Sequence, residues 1–137
     1  MAIKLGMKGK LYYGPAGSRA TSELRNAKDV TLTLEKGEAD VTTRGNEGWR
    51  ATVGTLKEGS VEFEMLWDTA DPGFNAIQQA YFNDTPLAFA ILDGENGHGL
   101  DADFAVMNFS RTEALEEAMA VSVTIKPTYS TRAPAWV

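Results

Sequence analysis

The chain has 137 residues, 43% hydrophobic and 23% charged, and 19 acidic against 13 basic side chains leave a net charge of −6. That length suits a single domain, residues 1–137, burying roughly two-thirds of its unfolded surface, and the acidic balance argues against tight nucleic-acid binding, which needs a basic patch. There are no cysteines, which excludes disulfides and thiolate metal sites.

The opening "MAIKLGMKGKLYYGPAG" has no apolar core of signal-peptide length, and no apolar run approaches the roughly 20 residues that span a bilayer. No membrane association is expected. "KLYYG" is a short strand candidate. In "DVTLTLE", Val30, Leu32 and Leu34 alternate with Thr31, Thr33 and Glu35, the pattern of a half-buried strand. Residues 36–56, "KGEADVTTRGNEGWRATVGTL", read as a long inter-strand loop with charges, glycines and one exposed Trp. "GSVEFEMLWD" resumes the alternation, with Val61, Phe63, Met65 and Trp67 on one face and Glu62 and Glu64 on the other.

Residues 71–83, "DPGFNAIQQAYFN", change period: Phe74, Ile77, Ala80 and Tyr81 recur at helical spacing. Asp71 is placed to cap the helix and Pro72 takes its first position. "PLAFAILDG" is a strand with apolar or small residues on both faces, closed by a turn at Asp93 and Gly94. "LDADFAV" sets Leu100, Ala102, Phe104 and Val106 against Asp101 and Asp103. The alternation then breaks at Met107, Asn108 and Phe109, which a β-bulge explains. "SRTEALEEAMA" reads as a connection. "AVSVTIKPTYS" sets Val121, Val123 and Ile125 against Ser122, Thr124 and Lys126 and stops near Pro127. The elements predict a mainly β fold: a β-sandwich or barrel of two packed antiparallel sheets with one flanking α-helix.

Chemistry-bearing motifs are sparse. His98 lies in a Gly-rich turn with no nucleophile in a recognisable setting. The acidic residues around it lack the D-x-[DN]-x-[DN]-G ladder of a calcium loop. "GPAGS" has no Lys to cradle phosphate, and Glu62 with Glu64 reads as a wet strand face before it reads as a glycosidase pair. No enzyme, no cofactor and no metal are expected. The outstanding feature is the polar strand faces taken together. Thr31, Thr33, Glu35, Glu62, Glu64, Asp101, Asp103, Ser122 and Thr124 are all hydroxyl or acid, with Lys126 the one base in register. A wet antiparallel face suffices to explain this; the sharper reading is a surface that repels polyanions.

The run "KDVTLTLEKGEADVTTRGNEGWRATVGTLKEGSVEFEMLWD", then "DPGFNAIQQAYFND" and the closing "AVSVTIKPTYS", resembles the tail tube (major tail) proteins of long, non-contractile-tailed phages and prophages. The likeness spans about Lys28 to Tyr129. It implies a virion structural protein, assembled in the host cytoplasm, whose copies join as six-membered rings and stack into a hollow conduit for DNA. Its partners would be itself, the tape-measure protein and the tail-tip and terminator proteins. If each subunit gave about four strands, ~24 strands at ~4.8 Å would close a bore of ~37 Å, wide enough for duplex DNA held loosely. On this resemblance Thr31, Thr33, Glu62, Glu64, Asp101, Asp103, Ser122 and Thr124 are expected to face the lumen. There they would repel passing phosphates without binding them.

The resemblance also gives the long loop a use. Asp40, Val41, Thr42, Thr43, Arg44, Glu47, Trp49 and Arg50 are expected at a subunit interface, with Trp49 as the anchor and Arg44 and Arg50 meeting acids across the joint. A secretion-type tube would share the physics. A monomeric ligand-binding sandwich is the reading from a different class, and it would have to use Trp49, Trp67, Tyr81 or Trp136 as stacking platforms.

Overall fold

A computed structural model describes residues 3–137; Met1 and Ala2 of the expected domain lie outside the described residues. Eight strands and one α-helix follow in the order β1 (Lys10–Pro15), β2 (Ser22–Glu23), β3 (Ala27–Asp40), β4 (Thr52–Leu66), α1 (Pro72–Asn83), β5 (Leu87–Leu92), β6 (Gly99–Thr112), β7 (Ala120–Pro127) and β8 (Ala135–Trp136). The strands form a single curled antiparallel sheet, ordered β2-β1-β5-β6-β7-β4-β3, with β8 added to β6. Two packed sheets were expected. One continuous sheet results because β1 pairs along its whole length with β5, Lys10 opposite Leu92 through Pro15 opposite Leu87. That long-range pairing joins what local alternation leaves as separate groups of strands.

Helix α1 closes the inner face. The Asp71 side chain accepts a hydrogen bond from Gly73 N–H at 3.2 Å and Pro72 sits in the first turn, as the spacing predicts. The helix buries Phe74, Ile77 and Ala80 against Val61, Phe63, Met65, Phe89, Phe104, Val121, Val123 and Ile125. These side chains alternate along their strands, so that β4 and β7 are dry on one face and polar on the other. Trp67 is half-buried at the rim, edge-on to Phe74 at 4.9 Å, with the Arg111 guanidinium 4.9 Å above its ring. Tyr81, expected on the apolar helix face, is 38% exposed and stacks on Phe109.

Two bulges set which side chains share a face. The register shifts between Val106 and Asn108, where the alternation breaks in the sequence. Phe109 then returns to the core, while Asn108 and Ser110 turn to the polar face opposite Thr124 and Ser122. A second shift falls between Lys28 and Thr31, at Asp29 with φ 52°. It brings Lys28 opposite Glu64 and leaves Val30 40% exposed, so Val30 is not part of the core row to which its spacing assigned it.

Residues 36–56 are a loop only in their middle. Strand β3 continues to Asp40 and β4 begins at Thr52, with cross-strand pairs from Glu38 opposite Gly54 to Asp40 opposite Thr52. Period two is lost here because neither face is covered, and because a third bulge separates Lys36 from Glu38. With nothing to bury, the sequence carries no burial pattern.

Candidate functional site: a polar sheet face and a projecting arm

The polar face is built in cross-strand rows. Thr31, Glu62, Thr124 and Asn108 stand side by side across β3, β4, β7 and β6. Lys28, Glu64, Ser122 and Ser110 form the next row. Thr33 extends the surface opposite Ser60. Six of the eight residues expected on one surface are therefore together: Thr31, Thr33, Glu62, Glu64, Ser122 and Thr124. The surface is less uniformly acidic than expected, since Lys28 Nζ lies 3.9 Å from Glu64 Oε2.

Asp101 and Asp103 require a correction. They share the sheet's outward parity, but they are only 6% and 2% exposed. The segment after β7 returns over them, and the Arg132 guanidinium bridges both carboxylates, at 3.0 Å to Asp101 and 2.9 Å to Asp103. Arg132 Nε–H also donates to Asp103 Oδ1 at 3.0 Å, the Ser130 hydroxyl donates to Oδ2, and Gly17 N–H donates to the same carboxylate at 3.0 Å. Gly17 holds this position with φ 95°, a region that glycine enters without penalty. Burial by itself would raise the Asp103 pKa, but the donors from Ser130, Arg132 and Gly17, with the Arg132 charge, outweigh it and lower the pKa below the usual carboxylate range. These two aspartates tie the chain's last segment to the sheet and offer no free charge.

A signal for this clamp lay in the neighbouring strand. Ala88 and Ala90 stand directly opposite Asp103 and Asp101, and both are fully buried on the outward side. A strand apolar on both faces is covered on both faces, so its neighbour's outward acids are covered as well.

The arm is the other candidate region. Strand β7 accompanies β4 only from Leu66 to Val61; beyond that, β3 and β4 pair with each other alone. The resulting two-stranded ribbon carries Leu34, Val53, Leu56, Val41 and Trp49 at 54%, 52%, 81%, 47% and 79% exposure. Glu35 stands opposite Glu58 and Lys36 opposite Lys57, like charges facing like. At the tip, Asp40 Oδ1 accepts Thr42 N–H at 2.8 Å, and that residue's hydroxyl and backbone donors hold the Asp40 pKa low. Thr42 Oγ1 accepts Ala51 N–H at 2.9 Å. Residues Arg44–Asn46 then make one 3₁₀ turn, with Thr43 before it and Glu47 after it at φ 52°. Arg50 lies 3.9 Å from Asp40 and is otherwise open to solvent. All eight residues expected at an interface thus sit together at the arm's end, and Trp49 is the largest apolar group there.

Nothing in this arrangement resembles a catalytic centre. His98 is exposed in its turn, with Nδ1 3.2 Å from the Val137 carbonyl, and no cluster of metal-binding side chains occurs among the described residues. The exposed tryptophans, Trp49 at the arm tip and Trp136 on β8, belong to different parts of the molecule and form no shared platform.

Comparison with known proteins follows the same line. The family model described as phage tail tube protein matches residues 13–128. No curated protein matches the chain. Among solved structures, a chain from the tail of an empty gene transfer agent particle, refined helically with C6 symmetry, superposes with a TM-score of 0.80 at 15% identity, covering 98% of this chain and 99% of that one. A chain of the SPP1 tail tube gives 0.67 at 15% identity over 90% and 75%. One from the sixfold-symmetrised baseplate of the anti-feeding prophage gives 0.64 at 7% identity over 100% and 97%. At such identities the likenesses establish the fold.

Proposed function

The chain belongs to the phage tail tube protein family, a structural and not an enzymatic family, and on that premise we propose how this subunit builds a tube. Copies of this single domain join as six-membered rings, and the rings stack into a hollow conduit through which DNA passes in the virion tail. The arm of each subunit reaches onto its neighbours. One observation carries the reading: a ribbon with Trp49, Leu56 and Val53 exposed and like charges paired across its strands is poorly suited to stand alone, because isolated two-stranded hairpins are marginal in water. The C6 tail to which the fold is similar supports the ring order.

In the same reading Thr31, Thr33, Glu62, Glu64, Ser122 and Thr124 line the lumen. Their hydroxyls and two carboxylates present no cluster of cations for phosphate, so DNA slides without the ion exchange that accompanies binding. Tape-measure, tail-tip and terminator proteins complete the tail, which is assembled in the host cytoplasm. A second reading is the tube of a contractile or secretion particle; the fold is also similar to a chain of the anti-feeding prophage baseplate and so is compatible with a particle other than a long-tailed phage. A sheath gene beside this one would support that reading, and its absence next to capsid genes would remove it. Negative-stain microscopy of the concentrated protein tests the tube itself: rings or tubes support it, and a species that stays monomeric at every concentration sinks it.

A further inference from the structure

The two ends of the sheet differ in chemistry. At the arm's base, where β7 stops at Pro127, a groove of about 840 Å³ is floored by Leu34, Leu100, Pro127 and Trp136. Leu34 and Trp136 are 54% and 65% exposed. Lys36 and Lys57 border this groove directly opposite each other, and neither has an ion-pair partner among the described residues. Glu35 and Glu58 also border it, but each neighbours one of these lysines in sequence and so projects from the ribbon's other face.

At the opposite end, past the pairing of Leu66 with Ala120, the connection 113–119 reads "EALEEAM". Leu115 is 101% exposed there. Glu116 and Glu117 beside it are exposed and likewise without ion-pair partners among the described residues, while Glu113 holds Arg111 at 3.5 Å. An apolar knob flanked by two acids thus stands at one end of the sheet, and an apolar groove flanked by two lysines at the other.

We propose that the 113–119 connection of one copy docks into the arm-base groove of the next. Leu115 enters between Leu34 and Trp136, and Glu116 and Glu117 face Lys36 and Lys57. The occupant is a second copy because this chain carries the complementary charge and shape itself, on an end that its own groove cannot meet. A twofold contact would set lysine against lysine; a head-to-tail contact pairs unlike ends and repeats without closing, which is what a stack requires. The inference rests on the tube reading and adds to it the joint that gives the stack its polarity.

Charge exchange tests it. Lys36→Glu with Lys57→Glu, and separately Glu116→Lys with Glu117→Lys, each raise the critical concentration for tube formation about tenfold by pelleting and microscopy, the size of one lost charged contact. The four changes together return it to within about threefold of the parent. Leu115→Asp abolishes stacking. All five positions are exposed, so thermal melts of the variants match the parent. Parent tubes with both exchanged pairs polymerising normally, or with the fourfold variant worse than either pair, overturn the inference alone. A parent that forms no rings or tubes overturns the tube reading and this joint with it.

Discussion

The body of the sheet and the arm that leaves it are made from the same two strands, and they differ in what covers them. Between Val61 and Leu66, β4 is flanked by β3 and β7 and roofed by α1, and Val61, Phe63 and Met65 are essentially inaccessible. A few residues earlier, β4 has β3 for company and nothing on either face, and Leu56 is 81% exposed. The first part is stable within one chain. The second has apolar side chains that this chain leaves exposed. Apolar burial and polar pairing complete the body, whereas the arm keeps unburied apolar surface and facing like charges, which the proposed assembly would complete.

The largest effect expected of a single change lies in the body. Arg132→Ala leaves Asp101 and Asp103 buried beside each other without their cation. Removal of one partner from a buried ion pair costs about 3–5 kcal/mol, and denaturant unfolding should register a loss of that size. A loss below about 1 kcal/mol would mean that the segment after β7 lifts off and water reaches the aspartates, which would erase the contrast between body and arm at this point.

Trp49→Ala acts on the arm, and the contrast predicts the opposite split. At 79% exposure the side chain adds little to the fold, so unfolding should shift by no more than about 0.5 kcal/mol. Assembly should lose about 2 kcal/mol per joint, or roughly a thirtyfold rise in the concentration at which tubes appear. Normal polymerisation of this variant would leave the arm tip a solvated turn without a partner.

Acid acts on the body through Asp103. Its pKa is lowered in the folded chain, so it binds its proton less readily there than in the unfolded chain, where the value is about 3.9. Its contribution is therefore complete above about pH 4–5 and is lost as pH falls through the lowered folded value. Stability measured from pH 6 downward should fall in that window, and Asp103→Asn should flatten the fall while lowering the plateau. An unchanged profile in the variant would place the acid sensitivity elsewhere.

What could be read in the sequence follows the same division. Helix α1 with its Asp71 cap, the core row of Val61, Phe63 and Met65, and the bulge before Phe109 were legible because burial on one face imprints a period and a bulge interrupts it visibly. The arm's strands were not, since a ribbon exposed on both faces has no period to show. The bulge at Asp29 hid Lys28 from the polar row, because one extra residue reverses parity without leaving a break in the "DVTLTLE" pattern. The clamp was out of reach of spacing altogether. Arg132 lies 29 residues from Asp103 in a segment without regular structure, and only the double-sided apolar character of β5 hinted that the aspartates were covered.

The last effect, modest on the fold and sharp on function, belongs to the polar face. In the variant carrying both Glu62→Lys and Glu64→Lys, the lysine that replaces Glu64 stands opposite Lys28, and the one that replaces Glu62 stands beside Thr31 and Thr124. The existing contact of Glu64 with Lys28 is 3.9 Å long with both side chains about half-exposed, and such pairs contribute at most about 1 kcal/mol. A facing like-charge pair costs a similar amount, so stability should fall by about 2 kcal/mol at most and tubes should still form. On the proposed reading, however, the charge of the face changes from one that repels phosphate to one that binds it. Variant tubes should retain duplex DNA at low salt and release it as salt rises, because each phosphate neutralised releases counterions. Particles complemented with the variant should eject DNA more slowly. Ejection at the parent rate, or DNA retention that ignores salt, would show that this face does not border the passing DNA, and the acidic row would revert to the wet side of an ordinary sheet.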